Sequence, residues 1–293
     1  MSADAYQIHA RRVHFDWDGT PLHWVPGDPF STQTINVLHL LLPAGERWFC
    51  EVYRQGLPLV KSDRLREEVK GFIGQEAVHA RAHQHVLDHL VRQGLDTTAY
   101  TNRIEWMFSR LLGDRPLGRL PVPTRRWLID RMAIIAAIEH FTCVLGNWVL
   151  EQKGLDEAGA DPTMLDLLRW HGAEEVEHAS VAYDLFQEAS GSYPRRVFAM
   201  VTVAPILLWL WVVGTRFLVR HDPTLRGAKP RWRDYKRAAR RGRVPHLRSL
   251  FGAIPRYLRR DHHPSKEGSL DRAIAYLAVS PAAQAASREQ RAG

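Results

Sequence analysis

Residues 134–146 read IIAAIEHFTCVLG, and Glu139 is the one Asp, Glu, Lys or Arg in that run. The longer stretch 132–150, MAIIAAIEHFTCVLGNWVL, is apolar on nearly every side of a helical wheel. The helix expected from about Thr124 to Lys153 therefore belongs in the middle of a fold. A lone carboxylate is costly to bury, so Glu139 calls for a cation, a metal ion or a bound proton beside it.

Outward from Glu139, the next helix carries Glu175-Val-Glu-His178 and an earlier one carries Glu76-Ala-Val-His79. Spacing i, i+3 sets a carboxylate and an imidazole on one helical face, where the pair can hold one metal ion. Glu46 precedes Glu76 by thirty residues and Glu139 precedes Glu175 by thirty-six, so the order is Glu, ExxH, Glu, ExxH. Four-helix di-metal carboxylate proteins use this arrangement. Each piece alone has an ordinary reading. Glu139 can be a protonated or ion-paired core residue, Glu46 a capping or surface residue near a helix start, and either ExxH part of a solvated face. Together they point to metal binding. Cys50 follows Glu46 by four and Cys143 follows Glu139 by four, which suggests a duplicated helical hairpin.

The fold class expected is all-α: a four-helix bundle with additional C-terminal helices. Residues 1–33 read as an extended segment, with Val13–Phe15 and Leu22–Trp24 as short strands or loop. The bundle is expected over 34–195, an apolar helix over 196–220 and a basic extension over 221–293. Within the bundle, Pro43 opens a helix that stops at Gly56. Ser62 caps a helix running to Gly94, a short helix covers about Thr101 to Leu112, and the last runs from about Pro162 to Ala189. A Gly/Pro-rich loop, GDRPLGRLPVP, spans 113–123.

Several neighbours of the motifs have two readings. His83 shares the face of Glu76 and His79, and His171 precedes Glu175 by four. Each can be an extra ligand, a proton shuttle or a histidine at the bundle end, and they are the candidate catalytic residues. Glu174 and Glu177 are expected to point outward or to support the site, His140 to point elsewhere, and Tyr53, Cys50 and Cys143 to be core.

Three segments, PAGERWF (43–49), FIGQEAVHARAH (72–83) and WHGAEEVEHASVAYD (170–184), resemble the motifs of a bacterial family labelled predicted metal-dependent hydrolase. The resemblance covers about residues 10–220. It implies a ferritin-like fold and a dinuclear site with ligands Glu46, Glu76, His79, Glu139, Glu175 and His178.

Such a carboxylate-rich O/N donor set suits two Fe ions, or Mn, better than thiolate-seeking metals. The first expectation is an O2-activating di-iron oxidoreductase acting on a small apolar or amphiphilic molecule, with an electron donor as a candidate partner. The alternative is a hydrolase using a metal-activated water. Non-enzymatic, ferritin-like iron binding is a third reading, disfavoured by the long C-terminal extension.

The 293 residues carry a formal net charge of +8, unevenly. Between Arg216 and Arg260 there are 15 Lys+Arg and two acids, so the rest of the chain is net acidic. Two cysteines exclude a disulfide framework, and the start MSADAYQIHARR has no apolar run, so a cytoplasmic setting is expected. Val197–Thr215 holds 19 residues without a charge. It is read first as a buried extra helix, then as a segment lying on a membrane surface, and last as a span. With the basic region beside it, residues 197–260 could meet an anionic membrane at its inner face. Nucleic acid is the weaker partner, since no nucleic-acid motif is present. A dimer is compatible with everything above.

Overall fold

The computed structural model describes residues 8–118, 124–225 and 227–292. Helices make up most of these residues, and no strand occurs among them. The strands considered near Val13 and Leu22 do not form. That N-terminal segment instead lays Phe15, Trp17, Trp24 and Val25 into the core as irregular chain. Residues 119–123 of the Gly/Pro-rich loop lie outside the described residues.

Four long helices carry the motifs: α2 (Val37–Gly56), α3 (Asp63–Arg92), α5 (Thr124–Glu151) and α6 (Pro162–Ala189). Local signals set several ends. Ser62 accepts from the Leu65 amide at the start of α3, and Asp161 accepts from the Met164 amide just ahead of Pro162 in α6. α1 (Pro29–Ile35) precedes α2 with only Asn36 between them. Pro43 does not open α2, as its sequence position suggested, but lies inside it. Val37, Leu40 and Leu41 are buried, and that packing carries the helix back past a proline whose missing N–H would favour a start. Glu46 is consequently mid-helix.

α2 pairs with α3 and α5 with α6, and the pairs close into a ring through α3 on α6 and α2 on α5. The short helix after α3 is α4 (Thr98–Trp106), ending in a wide π-type turn over Met107–Leu111. α7 (Tyr193–His221) lies across α5 and α1. The C-terminal region, α8 (Trp232–Arg240), α9 (Leu247–Leu258), α10 (Leu270–Leu277) and α11 (Pro281–Ala292), returns to the body: α10 and α11 pack on α6, and α9 on α5 and α7. Its cations are in part tied down there, as in Arg243 to Asp28 at 2.7 Å and Arg256 to Glu267 at 2.9 Å.

α5 is apolar all round because it has two apolar neighbourhoods. Met132, Ile135, Ala136 and Cys143 face the core, while Ile134, Ile138 and Phe141 face an apolar cavity. α5 and α6 approach closely where two glycines meet. A Cβ on Gly146 would sit 2.3 Å from the Gly172 carbonyl oxygen, and one on Gly172 would sit 2.8 Å from the Gly146 Cα. Backbone cannot yield as a side chain can, so Gly146→Ala forces the helices apart. The expected cost is about 1–3 kcal/mol in urea unfolding. An unchanged midpoint would show that the two helices do not touch at this crossing.

Candidate metal centre

The ring of helices brings all six sequence-predicted ligand residues to one place. Glu46, Glu76, His79, Glu139, Glu175 and His178 are each no more than 3% exposed. Ligand atoms of Glu76, His79, Glu175 and His178 lie within 4.8 Å of one another, and so do those of Glu46, His79, His171 and Glu175. Glu139 Oε2 is 3.1 Å from His178 Nδ1. The two groups share His79 and Glu175, so they form one centre with two lobes.

This centre is short of protein partners. Both carboxylate oxygens of Glu46, Glu76 and Glu139 make no hydrogen bond, nor do one oxygen of Glu175, Nδ1 of His79 and both ring nitrogens of His178. Buried polar groups are otherwise nearly always hydrogen-bonded. Without cations, protons take up the charge. Burial, followed by the charge of Glu76, pushes Glu46 well above the usual carboxylate range. Burial and the carboxylates of Glu175, Glu76 and Glu46 do the same to Glu139. Burial moves Glu76 up to about 7 against the pull of the His79 ring beside it. At Glu175 burial acts upward too, but His178 and His171 outweigh it and hold the carboxyl at about 2.

A second layer orients His79. Its Nε2 lies 2.8 Å from Glu174 Oε2, so the ring donates to that carboxylate and turns Nδ1 toward the centre. Glu174 also accepts from Arg11 Nη1 at 2.7 Å and from the Trp170 indole at 3.1 Å. Arg11 forks onto Glu177 as well, at 2.9 Å through both terminal nitrogens, and Gln75 donates to the same carboxylate at 2.9 Å. Glu174 and Glu177 are buried supports, so the outward reading of them is corrected.

A third feature is a row of imidazoles. Glu175 Oε1 is 2.7 Å from His171 Nε2, His171 Nδ1 is 2.8 Å from His83 Nε2, and His83 Nδ1 is 2.7 Å from His39 Nδ1. One tautomer assignment satisfies every link: His171 donates to Glu175, His83 to His171 and His39 to His83. It requires three neutral rings, and burial lowers all three, His39 to about 3. His83 and His171 are thus fully internal, not histidines at a bundle end. His39 and Arg11 carried no sequence signal. His140 turns away to the Ala253 carbonyl, and Cys50 and Cys143 are buried with their thiols pushed up by burial, to about 12 for Cys50.

A family model described as predicted metal-dependent hydrolase matches residues 9–268. The chain belongs to that family. In this member of the predicted metal-dependent hydrolases, the matched span takes in every residue of the centre, including Arg11, and also α7 to α9. No curated protein and no solved structure is similar enough to add to this.

Beside the centre lies an apolar cavity of about 510 Å³. Among the described residues Glu46 is the only carboxylate on its wall, and Phe49, Ile138, Phe141 and Leu207 are among its apolar lining. Its volume is ordinary for a small-molecule pocket, roughly 300–1,000 Å³.

Proposed function

We propose that the chain is a dinuclear metal-dependent hydrolase with a ferritin-like helical bundle, and that its substrate is an amphiphile whose apolar part lies in the cavity at Glu46. The observation that carries this reading is the juxtaposition of a partnerless carboxylate–imidazole cluster with an apolar cavity that reaches one of its carboxylates. Four buried carboxylates match the charge of two divalent ions, and the donor set Glu46, Glu76, His79, Glu139, Glu175 and His178 fits such a pair. The ions would supply Lewis acidity and an activated water.

The protein's own groups do the rest. Arg11 and Trp170 hold Glu174, and Glu174 holds His79 in the tautomer that offers Nδ1 to the centre. Glu175 accepts the hydrogen bond of His171 Nε2–H, and the bonds that follow fix the rings of His83 and His39 behind it. The cavity wall keeps water from the apolar part of the substrate and leaves its polar end at Glu46.

A second reading, O2-dependent oxidation of the same kind of substrate by two Fe ions, is favoured by the carboxylate-rich donor set and the apolar cavity beside it. Both readings are tested together. The purified protein is analysed for metal, then assayed with medium-chain p-nitrophenyl esters in the absence of oxygen with Mn or Zn. It is also assayed for substrate-dependent O2 uptake with Fe(II). Two metal ions per chain and anaerobic ester cleavage are expected. O2 uptake without ester cleavage would replace the hydrolytic reading by the oxidative one. Fewer than one ion per chain under all loadings would overturn both.

A further inference from the structure

One face of α7 is bare. Phe198, Val201, Pro205, Trp209 and Val212 follow one another at three- and four-residue steps, with Ile206 beside Pro205, and all are exposed, Phe198 at 71% and Trp209 at 61%. The stripe spans residues 198–212, about 21 Å of helix. The most apolar window of α7 is only 28% buried. The buried-helix expectation for 197–215 is therefore corrected: α7 covers the body with one side and presents the other to its surroundings.

The same face continues into Arg216 and Arg220, both exposed. Arg231 and Trp232, at the start of α8, line one cavity with residues of α7, and Arg233 and Lys236 beside them are exposed, the Lys236 ammonium lying over the Trp232 ring. Arg216, Arg220, Arg233 and Lys236 have no ion-pair partner among the described residues, unlike Arg243 and Arg256. Unpaired cations beside exposed aromatic and aliphatic side chains form a surface complementary to an anionic interface with an apolar interior.

The cavity opens onto that surface. Ile206, Val212, Trp232 and Phe251 are each more than 40% exposed and also line the cavity, and Arg216 and Arg231 line it from the same side. Glu46, buried in the candidate centre, lines the same cavity. An apolar passage thus begins among membrane-compatible side chains and ends at the candidate metal centre.

We infer that the face formed by α7 and the start of α8 seats on an anionic lipid bilayer, and that the cavity draws a long hydrocarbon chain from that bilayer toward Glu46. The substrate class is then a lipid-derived amphiphile with a single acyl or alkyl chain, presented polar end first to the centre. This rests on the proposed function for what happens at Glu46, while the seat and the passage are measurable without turnover or metal.

The test uses the full chain in two arms. In the first, flotation is measured with phosphatidylcholine vesicles with and without phosphatidylglycerol. Binding is expected only with phosphatidylglycerol. It should fall about fivefold for each exposed cation neutralised, as in Arg216→Gln and Arg220→Gln, and fall further in Trp209→Asp. Equal binding to both vesicles, or none, would overturn the seat. So would a protein that dimerises and that Trp209→Asp turns monomeric without any vesicle binding, because the face would then be an interface between copies.

In the second arm, uptake of the fluorescent fatty acid cis-parinaric acid is read in the absence of vesicles. Saturable uptake is expected, at least tenfold weaker in Ala204→Trp and Leu207→Trp, which narrow the passage, while both variants still float with phosphatidylglycerol vesicles. Undiminished uptake in folded forms of both would overturn the passage. Metal content, measured on the same samples, reports on the centre independently. Normal lipid results with no bound metal would sink the proposed function and leave the seat and the passage standing.

Discussion

Glu139→Gln should have opposite effects on the metal-free and metal-loaded protein. In the metal-free chain, Glu139 is a buried carboxyl with neither oxygen hydrogen-bonded, facing the carboxylates of Glu175, Glu76 and Glu46. A neutral amide of the same shape is buried without having to take up a proton, and the expected gain in unfolding free energy is about 0.5–2 kcal/mol, of the size found when a functional site is released from its strain. In the loaded chain the variant loses a donor. Metal content should drop below two ions per chain and the stabilisation by metal should shrink. That stabilisation is about 2.7 kcal/mol when the free metal stands at a hundred times its dissociation constant. Turnover should fall more than about 100-fold, since even supporting residues around metal sites cost 10–100-fold.

The pH dependence follows from the same residue. Its folded-state pKa is raised above the ordinary 4.5, first by burial, so the folded state binds the proton more tightly than the unfolded state. The contribution of Glu139 to metal-free stability is then highest on the acid side and declines as pH rises above 4.5. Glu76, shifted up to about 7, adds a decline of the same sign through neutrality. Metal competes with those protons, so its stabilising effect grows with pH over the same range. Melts with chelator and with Mn or Fe(II), at pH 5.5 and 8, read both trends. A metal-free Glu139→Gln no more stable than wild type at pH 8 would show that Glu139 already has a satisfactory partner.

Much of the centre was legible because its parts are local. ExxH on one helical face needs only the helix, and Ser62 and Pro162 mark the starts of α3 and α6. The apolar run around Glu139 announced a buried acid. Strong pairing of α2 with α3 and α5 with α6 agrees with the repeated spacing of the two halves. The missing pieces are those that no local pattern encodes. Arg11 meets Glu174 across 163 residues of chain and Glu177 across 166. His39 joins the imidazole row only because α2 starts earlier than Pro43 implied. Nor could hydropathy separate a two-sided core helix from one with a bare face: α5 and α7 are both long and apolar, yet 50% of one window and 28% of the other is buried. That difference depends on what else in the chain arrives to cover each face.

Arg11→Met should be the most destabilising single change outside the hydrophobic core. The guanidinium is 10% exposed as a side chain and answers two carboxylates that are 0% exposed. Removing one partner of a buried ion pair costs about 3–5 kcal/mol, because the other charge is left without compensation. Arg11→Lys should recover only part of this, since an ammonium cannot fork onto both carboxylates at once. Glu177→Gln in the Arg11→Met background should restore stability by removing one of the stranded charges, which a simple loss of packing would not allow. The loss also has a pH signature. At Glu174 burial acts upward, but the hydrogen bond from His79 and the charges of His79 and Arg11 outweigh it and hold the carboxyl below its ordinary 4.5. A depressed pKa contributes stability that is present above 4.5 and lost as pH falls through the folded value. The gap between Arg11→Met and wild type should therefore be widest at neutral pH and close on acidification. Metal affinity should fall 10–100-fold alongside, because Glu174 no longer holds His79 firmly in its metal-facing tautomer. Urea unfolding at pH 4 and pH 7, with metal content measured on the same samples, separates the two effects. A gap of the same width at both pH values would mean that Arg11 acts through packing and not through charge.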